Sequence, residues 1–104
     1  MGDRSHLVVL ARELEELVPE FMANRRKDLQ ALRVGLTNDD LEGLRLIGDR
    51  IKGVAGSYGF VRLAAIARLI EETAKQGNRH GLYLLVEQYE AHLSSVEIRF
   101  EDTA

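Results

Sequence analysis

Apolar residues recur every three or four positions through most of this chain, and that spacing is the feature that most restricts its fold. Such recurrence places apolar side chains on one face of an α-helix, whereas a half-buried strand requires strict alternation. Gly, Asn, Asp and Pro separate the periodic segments, and these residues are typical of helix ends. We find no segment that predicts a strand and no internal repeat. The pattern therefore predicts an all-α fold.

Four periodic segments are long enough to form the main helices, and a shorter one precedes them. Asp39 and Glu42 have the spacing of a capping box, so the second long helix is predicted to begin there. Ser5 is a candidate cap for the short helix. The predicted ranges are about 5–17 for the short helix and about 19–35, 39–58, 60–76 and 79–100 for the long ones. Short connections between amphipathic helices predict an antiparallel, up-down four-helix bundle with a short additional N-terminal helix. We expect a single domain over residues 1–104.

Composition and charge restrict the possible functions. Hydrophobic residues make up 45% and charged residues 30% of the chain, as in ordinary globular proteins. The net charge is −3, without the basic patch that nucleic acid requires. No apolar run approaches the roughly 18 residues of a membrane span. The chain has no cysteine, which excludes disulfides and zinc–thiolate sites. We expect a monomeric, cytoplasmic protein that binds neither nucleic acid nor membrane.

The segment 39–58 departs from the pattern of an ordinary surface helix. Its projection places Asp49, Gly53 and Gly56 together on the exposed side, although each interior glycine costs a helix roughly 1 kcal/mol relative to alanine. Glycines beside one polar residue leave space for another molecule to approach it. Arg45 and Lys52 lie four residues before and three residues after Asp49. This arrangement favours a reception site for a phosphoryl group or an acidic surface. A solvated helix face with ion pairs remains the alternative interpretation.

The run from Ile47 to Phe60, IGDRIKGVAGSYGF, resembles the signature of histidine phosphotransfer (HPt) domains. The matching positions are Gly48, Ile51, the Lys52-Gly53 pair and the helix-ending Gly59. Downstream, Leu69-Ile70-Glu71 and Gly77-Asn78 also fit the family, so the resemblance spans about residues 14–100. The position of the family's phosphorylated histidine is occupied by Asp49.

The resemblance implies a phosphorelay module of a two-component system. HPt domains accept a phosphoryl group on histidine from the aspartate of a receiver domain, and they pass it to another receiver. They need no cofactor of their own, because the partner supplies the magnesium site, and they have no independent catalytic activity. The expected partners are a response-regulator receiver domain, a hybrid histidine kinase, or both. The family's lysine and glycine, here Lys52 and Gly53, stabilise and accommodate the phosphoryl oxygens, and we add Arg45 to that environment.

Asp49 is a decisive departure from the family, because imidazole forms the high-energy phosphoramidate on which a reversible relay depends. We therefore expect a module that docks a receiver without carrying phosphate, either as a natural pseudo-HPt or as a histidine-to-aspartate variant. Leu46, Arg50 and Gly56 are the candidate docking residues. None of the histidines at positions 6, 80 and 92 has glycines or a lysine arranged around it.

Two other functional classes remain as alternatives at this point. A helical adaptor or dimerisation domain unrelated to phosphorelay would show the same amphipathic pattern and would require nothing of Asp49. An enzyme acting alone is the weaker alternative, because we find no zinc-binding His-Glu-x-x-His motif, phosphate-binding loop or Ser/His/Asp set.

Overall fold

The computed structural model describes residues 6–102 and contains the four-helix bundle that the periodicity predicts. Its helices are α1 (Val18–Thr37), α2 (Leu41–Tyr58), α3 (Val61–Gln76) and α4 (Arg79–Ser95). Short turns join consecutive helices. Helices α1 and α3 each pack against both α2 and α4, so α2 and α4 occupy diagonal positions in the bundle. This arrangement leaves one face of α2 directed away from the core.

Several of the helix ends follow the local signals. Pro19 lies in the first turn of α1. Gly59 and Gly77 end α2 and α3 with positive φ angles of 99° and 71°, a conformation that strongly favours glycine. The predicted capping box at Asp39 is wrong. Asp40 caps α2 instead, and its Oδ1 accepts a 2.9 Å hydrogen bond from the backbone N–H of Gly43.

Asp39 has a different role. Its backbone adopts a φ of 55°, which asparagine and aspartate tolerate better than most residues. Its carboxylate accepts hydrogen bonds of 2.5 and 2.9 Å from the Arg79 guanidinium, at the beginning of α4. This contact lowers the pKa of Asp39. The side chain thus connects the α1–α2 turn to α4, a distant contact that local spacing does not reveal.

The core contains apolar side chains from all four helices and from one strand. The ring centroid of Phe21 lies 4.5 Å from those of Tyr58 and Phe60. Tyr89 is fully buried, and its hydroxyl donates a 2.9 Å hydrogen bond to the backbone carbonyl of Arg25. Other fully buried residues are Leu32, Ile51, Ala55, Ala67, Ile70, Leu82 and Val86. These positions belong to the apolar stripes that predicted the helices.

The two ends of the described chain form a small sheet, which corrects the prediction of an exclusively helical chain. Strand β1 (Leu7–Ala11) pairs in parallel with β2 (Glu97–Glu101), and Leu7 lies opposite Glu97. A 3₁₀ helix (Arg12–Leu17) connects β1 to α1. The predictions of a helix over 5–17 and of a last helix reaching Phe100 are therefore wrong. The proposed cap Ser5 lies outside the described residues.

The burial pattern of β1 shows why a helix over residues 5–17 was the wrong prediction. Val8 and Leu10 face the core, whereas Leu7 and Leu17, two apolar residues of the predicted helix over 5–17, are 37% and 51% exposed. β-branched residues favour an extended backbone, and LVVLA contains two of them. A strand also needs a partner, and β2 lies about 90 residues further along the chain. The sequence around β1 alone therefore cannot reveal this pairing.

Candidate functional site

The candidate site lies on the exposed face of α2, near the middle of the helix. Leu44, Gly48, Ile51 and Ala55 form its buried side. The Asp49 side chain is directed away from them and is 55% exposed. The capped N-terminus and the glycine-ended C-terminus fix the helix on both sides of this residue. The carboxylate of Asp49 is therefore presented to solvent from a rigid helix.

The glycines of α2 differ in what surrounds them. A Cβ added at Gly53 would meet no atom within 4 Å, and one at Gly56 would lie 4.0 Å from the Cβ of Ala64. These two glycines leave open space beside Asp49, as the projection predicts. A Cβ at Gly48 would instead lie 2.9 Å from the carbonyl oxygen of Ala67 and from the backbone nitrogen of Glu71. Gly48 thus allows α2 and α3 to approach closely.

Lys52 lies between two carboxylates. Its Nζ is 3.2 Å from Oδ1 of Asp49 and 2.8 Å from Oε1 of Glu71. Hydrogen bonds to Glu71 and then to Asp49 raise the pKa of Lys52. The Glu71 side chain is only 10% exposed, and its other oxygen lies 3.9 Å from Nζ of Lys75. Lys52 is therefore bound both by Asp49 on its own helix and by Glu71 on α3.

Arg45 does not form an ion pair with Asp49 in the described part of the chain. Its guanidinium donates hydrogen bonds of 3.0 and 2.6 Å to the two carboxylate oxygens of Glu42. These bonds raise the pKa of Arg45 and lower that of Glu42. Arg45 remains on the same helix face as Asp49, but its hydrogen-bonding groups are directed toward the beginning of α2.

The three predicted docking residues have different environments. Leu46 is 52% exposed, and Gly56 is also exposed. The Arg50 guanidinium forms an ion pair with Asp28 on α1, although the Arg50 side chain is 57% exposed. Asp28 is buried and is also bound by Arg25, at 2.8 Å. Arg50 thus joins α2 to α1, and only its exposed part is available to a partner.

Two buried acids, Glu71 and Asp28, have no role in the site that the sequence pattern predicts. Glu71 lies four residues after Ala67 and three before Ala74, inside the apolar stripe of α3. Asp28 lies likewise between the buried residues Arg25 and Leu32 of α1. An acid within an apolar stripe must find a cation, because an unpaired buried charge is costly. The position of each acid within an apolar stripe is therefore the sequence feature that could have identified it as paired with a cation.

The histidines lie away from Asp49 in the fold. His80 is exposed near the beginning of α4. His92 is buried, with 2% of its surface exposed. Its Nδ1 lies 3.2 Å from Nδ1 of His6. Burial, followed by the charges of His6 and Arg62, lowers the pKa of His92 to about 4. These features favour a structural role for His92.

Among residues 6–102, no group of three or more His, Cys, Asp or Glu residues could hold a metal ion. Within the same range, no helix is both long and apolar enough to cross a membrane.

Comparison with known proteins supports one family. The family model described as Hpt domain matches residues 16–98, which include all four helices and the last two residues of the 3₁₀ helix. No curated protein matches the chain, and no solved structure does.

Proposed function

This chain belongs to the Hpt domain family of two-component phosphorelays, and we propose that it docks a receiver domain without carrying a phosphoryl group itself. The proposed docking surface consists of the exposed face of α2 and the adjoining part of α3. Asp49 lies at its centre, beside Lys52 and the open space at Gly53. Family membership favours this function over an adaptor unrelated to phosphorelay.

The observation that carries the proposal is the open surface around Asp49. Gly53 and Gly56 leave space along α2, although alanine at such positions would favour the helix. Leu46 adds an exposed apolar side chain to the same face. A protein partner needs a surface without protruding side chains if its own reactive residue is to reach position 49. The glycines support that requirement, whereas helix stability does not explain them.

The chemistry at position 49 supports docking without relay. A carboxylate lacks the neutral imidazole nitrogen that forms a phosphoramidate. Phosphoryl transfer to any oxygen requires positive charge around the transferred group. The nearest cation, Lys52, already interacts with both Asp49 and Glu71. We therefore assign Asp49 to partner recognition and Lys52 to the local charge balance, with Arg45 and Arg50 at the edges of the surface.

The docking surface can be tested with Gly53→Leu. The added side chain would project into the open space beside Asp49, so we expect binding to a receiver domain to weaken at least about tenfold, as for a clash at the centre of an interface. The stability of the bundle should change little, because no atom lies within 4 Å of the new Cβ. Isolated receiver domains of the source organism serve as ligands in isothermal titration calorimetry.

The matched control is Ala91→Leu, an equally small-to-large change at an exposed position of α4. Helix α4 lies diagonally across the bundle from α2, so this variant should bind like the wild type. Circular dichroism melting would verify that both variants fold. If Gly53→Leu binds receivers as tightly as Ala91→Leu does, the open face of α2 is not the docking surface.

A further inference from the structure

We propose that this chain distinguishes the phosphorylation state of its receiver partner, binding the unphosphorylated receiver and disfavouring the phosphorylated one. This inference rests on the proposed function, because it concerns the same docking surface. It assigns a regulatory role to the charge of Asp49, beyond the inability of this residue to carry a phosphoryl group.

The cations around Asp49 already have carboxylate partners. Among the described residues of α2 and α3, Lys52, Lys75 and Arg45 all contact carboxylates. Lys52 contacts Asp49 and Glu71, Lys75 contacts Glu71, and Arg45 contacts Glu42. Three carboxylates thus balance three cations. An incoming phosphoryl group would have to compete with a carboxylate for each of these cations.

Glu71, which binds Lys52, is buried. Its side chain is 10% exposed, so solvent screens its charge poorly, and its Oε1 lies 2.8 Å from Nζ of Lys52. Moving Lys52 toward a partner's phosphoryl group would leave the buried carboxylate with Lys75 as its remaining ion-pair partner among the described residues, at 3.9 Å. An uncompensated buried charge is strongly unfavourable. Glu71 therefore restrains Lys52 on this chain.

The charge of Asp49 lies where a docked partner would meet it. The carboxylate is 55% exposed on a face kept open by Gly53, so a docked partner would approach it directly. A phosphoryl group carries about 1.5 to 2 negative charges near neutral pH. Like charges in close, partly desolvated contact repel, and the described cations beside Asp49 offset this repulsion poorly because they already contact carboxylates. An unphosphorylated receiver would not bring this added charge to the interface.

The experiment compares one receiver domain in two forms, unmodified and as its beryllofluoride adduct, a stable anionic analogue of the phosphoaspartate. Each form is titrated calorimetrically with wild type and with Asp49→Asn, which preserves the shape of the side chain and removes its charge. We expect the wild type to bind the adduct about tenfold more weakly than the unmodified receiver. Asp49→Asn should lose most of this difference. Glu71→Gln, which releases Lys52, should reduce it in part.

Equal affinity of the wild type for the two receiver forms would overturn the inference and leave the proposed docking function intact. So would a preference for the unmodified receiver that persists unchanged in Asp49→Asn, because receiver shape would then explain it. Absence of binding to either form, by both the wild type and Asp49→Asn, would instead contradict the docking function itself.

Discussion

At the residue scale, His92 makes the stability of the fold depend on pH. The side chain is 2% exposed, its Nδ1 faces Nδ1 of His6, and Arg62 adds a further positive charge nearby. Burial and these charges lower the pKa of His92 to about 4. The unfolded chain has no such environment, so its histidine would titrate near 6.5. Between these two values the unfolded state binds a proton that the native state does not bind.

The free energy of unfolding should therefore fall as the pH decreases from about 6.5 to about 4. Above pH 6.5 the contribution of His92 to the free energy of unfolding should be fully present. Between pH 7 and pH 5 this contribution corresponds to a loss of about 2 kcal/mol in the free energy of unfolding. Urea denaturation at the two pH values measures it. His92→Leu should lose this part of the pH dependence, whereas His80→Gln, at an exposed position, should retain it. Identical pH profiles for both variants would contradict the assignment.

The site also shows what the sequence can predict at the residue scale. Spacing on one helix places Arg45 and Lys52 on either side of Asp49, because helix geometry brings residues three or four apart to the same face. The structure shows Lys52 in contact with Asp49, whereas Arg45 is bound by Glu42. The contact between Lys52 and Glu71 depends on how α2 packs against α3, and spacing within one helix cannot determine it.

At the scale of elements, the packing of α2 on α3 determines the position of the site. Gly48 brings the two helices together, since a Cβ there would lie 2.9 Å from two backbone atoms of α3. Gly53, one and a half turns further along α2, meets no neighbouring atom. The sequence presents both as interior glycines of the same helix. Their roles differ because they lie on different sides of α2.

Replacing each of these glycines by alanine should therefore change stability in opposite directions. Gly48→Ala should lower the free energy of unfolding by about 1–3 kcal/mol, because the backbone of α3 must move away. Gly53→Ala should raise it by up to about 1 kcal/mol through helix propensity alone. Chemical denaturation of the two variants beside the wild type gives both values. A stabilised Gly48→Ala would show that the close α2–α3 contact is absent.

At the scale of the whole molecule, the bundle could be predicted from sequence, but the sheet could not. Helices such as α3 carry their periodicity and their glycine end signal within one segment. Strand β2, with the sequence EIRFE, does alternate, but it directly follows α4 and was read as a continuation of it. Strand β1 depends on β2 for its hydrogen bonds, and the two lie at opposite ends of the described chain. Such non-local pairing is visible only in three dimensions.

Because β1 is a strand, its neighbouring residues face opposite sides of the sheet. Substitutions at adjacent positions should therefore differ in their effect on stability. Leu10 is 3% exposed and Val9 is 45% exposed. Leu10→Ala should lower the free energy of unfolding by about 2–4 kcal/mol, because it leaves a cavity beneath the sheet. Val9→Ala should cost well under about 1 kcal/mol. Equal effects of the two substitutions in thermal or urea unfolding would contradict the observed register.

The central claim, a receiver-docking module that cannot relay phosphate because of one residue, is tested most directly by a transfer assay. A receiver domain labelled with a radioactive phosphoryl group is mixed with the wild type or with Asp49→His, while calorimetry measures binding of the unlabelled receiver to both. We predict that both forms bind and that only Asp49→His becomes labelled. Labelling of the wild-type chain would contradict the account, and so would the absence of receiver binding by both forms.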